Sequence, residues 1–174
     1  MYKLFTITLF ALLNILHVSA QKLDVGDSAP ELRLINADGE EVTLSSLKGQ
    51  IVFIDFWASW CAPCRRENPK IAELINEYAD ADFKNASGFK VYSVSLDQSR
   101  KSWLKALEAD KLTYPTSVID LDGFKGSAAK TYNIRRIPTS YLIDSNGEII
   151  AVNINGDQLA SRLKKMAKKK SRFF

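Results

Sequence analysis

Two cysteines make up the entire thiol content of this 174-residue chain, and they stand three apart in Cys61-Ala62-Pro63-Cys64. They follow the apolar run Ile51 to Trp57 and precede Ile71, Leu74, Ile75 and Tyr78, which recur at helical spacing. The pattern predicts a buried strand, a tight turn and a helix beginning at the pair. A sulfur at a helix N-terminus lies among unpaired N–H groups at the positive end of the helix dipole, which favours the thiolate. Pro63 falls near the first helical position, where its missing N–H costs little and its fixed φ makes the turn rigid. The three-residue separation brings the sulfurs close enough to bond, with Cys61 expected at the exposed tip and Cys64 one turn deeper. Cys61 would then attack a partner's sulfur, and Cys64 would resolve the mixed disulfide.

Two carboxylates could manage protons there. Asp55 interrupts the apolar strand, where burial is expected to raise its pKa. Glu67 stands one turn past Cys64, where the alternative is a surface residue that supports the first helical turn.

Composition narrows the alternatives. The only histidine, His17, lies in the N-terminal apolar segment, so histidine acid–base catalysis and a four-ligand Cys/His zinc site are excluded for a chain that loses that segment. Arg65 after Cys64 excludes the c-type haem attachment pattern. The +4 formal charge belongs to one tail: apart from Arg162, Lys164, Lys165, Lys168, Lys169, Lys170 and Arg172, the 17 remaining Lys and Arg face 20 Asp and Glu. No basic face with interleaved aromatics appears, so nucleic acid is not an expected partner. A copper(I) module could use the two soft sulfurs but lacks a third ligand. An inert disulfide closing so short a loop would add little stability. No metal and no cofactor beyond the redox-active disulfide is expected.

The segment Asp55-Phe56-Trp57-Ala58-Ser59-Trp60-Cys61-Ala62-Pro63-Cys64 resembles the thioredoxin signature over its whole length. Pro69, five residues past Cys64, and Ile134-Arg135-Arg136-Ile137-Pro138-Thr139 resemble two further family features, the helix proline and the cis-proline loop. The resemblance implies an α/β thioredoxin fold, a mixed central sheet flanked by helices. It also implies that Asp55 exchanges the Cys64 proton through water, and that Trp60 shields the site. Ala62 and Pro63 would form the substrate-facing turn, while Pro138 would leave the Ile137 backbone free to pair with a partner. Arg136 departs from the small residue often seen there; a guanidinium at that place suits acidic partners or points into water. Ala58 stands where a peroxiredoxin-type peroxidase would carry threonine.

The remaining elements are those needed to hold this site. Leu32, Leu34, Val42 and Leu44 alternate around Asn36-Ala37-Asp38-Gly39 and predict an N-terminal β-hairpin. Strands are expected at Lys90 to Leu96, Pro115 to Ile119, Thr139 to Ile143 and Glu148 to Asn153, the last two joined through Asn146-Gly147. Helices are expected at Ser99 to Ala109, at Ser127 to Tyr132, and from a cap at Asp157 through Leu159, Leu163 and Met166. The hairpin and the lengthened segment between Leu96 and Pro138, a central insertion, resemble the exported TlpA/ResA-like branch of the superfamily, and that resemblance implies that Glu67 modulates the thiols.

Residues 1–20 carry Lys3, an apolar block from Leu4 to Leu16, and small residues at Ser19 and Ala20. These are the parts of a secretory signal, and the block falls short of the roughly 20 residues that span a bilayer. The expected organisation is a signal peptide at 1–20, cleaved or kept as an anchor, a thioredoxin-like domain at 21–170 and a tail at 171–174. An exported, periplasmic location follows, with membrane contact only if the leader stays. The branch implies a reductant fed by a membrane thiol carrier and acting on disulfides of exported proteins, cytochrome c apoproteins among them. An oxidase or isomerase of the same fold is the alternative, since Ala62-Pro63 adds no charge that would set the direction.

Overall fold

The computed structural model describes residues 22–168; the expected leader, the tail and the end of the lysine run lie outside them. Strand β1 (Arg33–Asn36) and β2 (Glu41–Thr43) form the hairpin, turning at Gly39 with φ +87°. Leu44 does not extend β2 as its alternation suggested. It opens a 3-10 turn, Leu44–Leu47, because the Thr43 side chain accepts the Ser46 N–H and ends the extended run.

Strand β3 (Ile51–Trp57) follows, then helix α1 (Ala62–Glu77), β4 (Phe89–Ser95), α2 (Arg100–Asp110) and β5 (Ser117–Ile119). A 3-10 turn at Gly123–Lys125 and the short helix α3 (Ser127–Thr131) lead to β6 (Thr139–Ile143) and β7 (Ile149–Val152). Helix α4 (Gly156–Met166) closes the described chain. Its cap is Asn155 rather than Asp157. Asn155 accepts the Gln158 N–H, and the Gln158 side chain accepts the Asn155 N–H, a reciprocal box that fixes the start two residues earlier.

The seven strands make one mixed sheet in the order β2-β1-β5-β4-β3-β6-β7. β3 is central, parallel to β4 and antiparallel to β6. β5 joins the core to the hairpin, running parallel to β4 and antiparallel to β1. All seven residues of β3 are buried, so both of its faces are covered. Ile51, Phe53 and Trp57 face α1, α2 and α4, packing with Leu74, Leu159 and Trp103. Val52, Ile54 and Phe56 face the other way, onto Leu34, Leu47, Ala128 and Tyr132. This two-residue alternation puts Asp55 on the face that carries α1.

The approach to the β6 loop is set by one close contact. Asp120 accepts the Ala128 N–H at 2.9 Å, and a Cβ on Gly126 would lie 2.0 Å from its Oδ1. Gly126→Ala is expected to cost about 1–3 kcal/mol through that overlap. The penalty should shrink in an Asp120→Ala background, which urea unfolding of the two singles and the double variant would show as non-additivity.

Candidate active site

Cys61 is the N-cap of α1, and its Sγ accepts the Cys64 N–H at 3.3 Å. The two cysteines are joined by a disulfide with Cα atoms 5.3 Å apart. Pro63 occupies the second helical position, where no intrahelical donor is needed, and the first turn carries no acidic residue. Helix α1 runs on through Pro69 to Glu77. The expected contrast between an exposed and a deep sulfur is corrected here: Cys61 is 4 % exposed and Cys64 2 %. Capping explains it, since a side chain turned back to accept an N–H lies along the helix end instead of projecting from it. What projects is Ala62, Pro63 and the Trp60 ring, which is 60 % exposed and sits against Phe124 with centroids 6.4 Å apart.

A cleft of about 400 Å³ opens beside the pair. Pro63, Cys64 and Glu67 form its α1 wall, Ile137, Pro138 and Ser140 the β6 wall, and Asn155 and Gly156 its α4 end, with Asp55 on its floor. The Ile137–Pro138 peptide is cis, and the Ile137 backbone has no hydrogen-bond partner among the described residues. The structure thus brings Cys64, Asp55, Glu67, Pro63, Ile137 and Pro138 around one hollow; Cys61 and Ala62 do not line it, and Trp60 lines a separate hollow with Ser59, Asp97 and Phe124.

Asp55 pairs in register with Ser93 on β4 and Ser140 on β6, and Ser93 with Ser117 on β5, so a polar row crosses the sheet beneath α1. The Ser140 hydroxyl donates to the Ile154 carbonyl and that of Ser117 to Leu112. Neither helps Asp55. Burial, aided by the charge of Glu67, raises the Asp55 carboxyl to about 7. Glu67 is half-buried, and its Oε2 accepts the Gly156 N–H at 2.9 Å, stapling α1 to the start of α4.

Two residues that sequence reasoning did not single out hold the turn in place. Asp97, just past β4, accepts the Ser59 N–H at 2.8 Å and the hydroxyls of Ser59 and Ser95 at 2.6 and 2.7 Å. Asp110, at the end of α2, takes the Arg65 guanidinium through Nε and through Nη2 at 2.7 Å, and the Asn68 amide at 2.7 Å. Arg65 also donates to the Ser59 carbonyl at 3.1 Å. The only sequence signal was an acid directly after an apolar strand, at Asp97. Asp110 gave none, because its partners lie more than forty residues away. No group of three or more metal-ligating side chains occurs among the described residues.

Fold and site together define a thiol–disulfide oxidoreductase of the thioredoxin type. The chain belongs to the AhpC/TSA family, whose model matches residues 25–152. It is 29 % identical over 149 residues to the thiol-disulfide oxidoreductase ResA of Bacillus thuringiensis, covering 86 % of this chain and 80 % of that one. It is 36 % identical over 125 residues to ResA of Geobacillus kaustophilus, covering 72 % and 66 %. Among solved structures, the thioredoxin domain of a thiol-disulfide oxidoreductase from Bacteroides vulgatus is similar with a TM-score of 0.73 and 34 % identity, covering 83 % of this chain and 98 % of that one.

The raised Asp55 carboxyl has a consequence for stability. An aspartate ionises near 3.8 in an unfolded chain and near 7 in this fold, so between those values unfolding releases a proton and stability falls as pH rises. Asp55→Asn in the oxidised protein is therefore expected to gain on the order of 2–4 kcal/mol over wild type at pH 8.5 and almost nothing at pH 4. Urea denaturation at both values checks this; an equal gain at both would trace the change to packing instead of charge.

Proposed function

We propose that this protein reduces disulfides of exported proteins. The observation that carries the reading is the joined Cys61–Cys64 pair at the N-terminus of α1, beside an open cleft floored by Asp55 and walled by cis-Pro138. In the reduced protein the Cys61 thiolate attacks a substrate disulfide. Its sulfur bonds to one substrate sulfur, and the other leaves as a thiolate. Asp55 takes the Cys64 proton, and the Cys64 thiolate attacks the Cys61 sulfur and expels the substrate sulfur bonded to it as a second thiolate. Two electrons pass to the substrate, and the Cys61–Cys64 disulfide remains. Ile137, beside Pro138, offers its unpartnered backbone to the substrate chain, and Trp60, Ala62 and Pro63 form the surface it meets. Glu67 acts on this chemistry through the Asp55 charge.

The commitment of Arg65, the cation next to Cys64, to Asp110 supports the reducing direction, since a strong oxidant stabilises its reduced thiolate. The leader at residues 1–20 supports export, and with it a membrane thiol carrier as electron donor. Cytochrome c apoproteins and other disulfide-bearing exported proteins are the substrates this implies.

Cys61→Ser is expected to abolish reduction of a model disulfide protein, whereas Cys64→Ser should trap a mixed disulfide visible by non-reducing electrophoresis and mass spectrometry. Equilibration with glutathione should give a reduction potential below about −200 mV. A value near that of the strong oxidants, about −120 mV, would reverse the assigned direction.

A further inference from the structure

The cleft has a charge pattern that the exchange reaction itself does not require. Arg66 on α1 and Arg136 on the cis-proline loop both line it, from its two opposite walls, with Cys64 and Pro138 between them. Both are exposed, and neither enters a salt bridge or a side-chain hydrogen bond among the described residues. Their neighbours are already committed: Arg65 is held by Asp110, and the Arg135 Nε donates to Asn133.

The two acids on the same cleft do not answer these charges. One Glu67 oxygen is bound by the Gly156 N–H, and Asp55 lies on the floor at 6 % exposure. On the outer side of the cis-proline loop an adjoining hollow is lined by Lys22, Arg135 and Arg136, which extends the positive rim. Guanidinium groups on facing walls fit carboxylates in a fork geometry, and each can take one from a chain lying between them.

We propose that Arg66 and Arg136 select substrates, binding acidic residues that flank the target cysteine in an extended segment laid along the cis-proline wall. This rests on the disulfide-reductase reading and names the substrate class for it: disulfide-bearing polypeptides with aspartate or glutamate within about two residues of the reacting sulfur. The arginines act in recognition and take no part in sulfur chemistry. Complementary charge speeds encounter and fixes register, and it weakens as salt rises.

The test uses the pre-reduced protein and three disulfide-linked peptide dimers, identical except that the cysteine is flanked by aspartate, serine or lysine. Single-turnover reduction is followed by stopped flow. At low ionic strength the aspartate peptide should be reduced about tenfold faster than the lysine peptide at subsaturating concentration, with serine between them. At 1 M salt the ratio should approach one. In the Arg66→Glu, Arg136→Glu double variant the order should invert; the readout is a ratio within each variant, so a partial loss of folded protein cancels. Equal rates for the three peptides, or the same preference in wild type and double variant, overturns the selection. Failure to reduce any of the three overturns the reductase reading beneath it as well.

Discussion

Everything at this site depends on α1 beginning where it does. Cys61 must be the residue that caps the helix, because one position earlier or later its sulfur would leave the ring of free N–H groups that stabilises negative charge. Two carboxylates, Asp97 buried and Asp110 half-buried, enforce that start from outside the motif. Asp97 ties down Ser59 at the entrance, and Asp110 clamps Arg65 and Asn68 on the next turns. The chemistry belongs to two sulfurs, and their placement to acids contributed by the end of β4 and the end of α2.

The acids show how one residue type serves opposite ends. Asp97, Asp110 and Asp120 are satisfied by several donors each and act as fasteners. Asp55 is left without such donors. Burial and the neighbouring Glu67 then raise its carboxyl to about 7, the range in which the proton exchange proposed for it would operate. Its position costs stability that builds up between pH 3.8 and that value.

Much of this was legible in the sequence. The unbroken apolar run of β3 marked a strand covered on both faces, and the Cys-Ala-Pro-Cys turn with its following helical stripe located α1 and the pair. Asn146-Gly147 and Asp38-Gly39 marked their turns through residues that tolerate positive φ. The failures share a cause. Capping at Asn155 in place of Asp157, the burial of Cys61 and the clamp at Asp110 each depend on which hydrogen bond wins among local competitors or on partners distant in sequence. Glu67 is the clearest case. Its position suggested a surface residue and the family resemblance a thiol modulator, and in the fold it is foremost a bridge between α1 and α4.

The sheet ends in short strands, three residues in β2 and four in β7, and the Arg162 side chain donates to a carbonyl on the latter. Long exposed edges recruit unfolded chains by backbone pairing, which leads to aggregation. With both borders curtailed, a polypeptide whose disulfide is exchanged at the Cys61–Cys64 pair finds little free strand edge on this sheet to join, so contact through sulfur need not turn into contact through backbone.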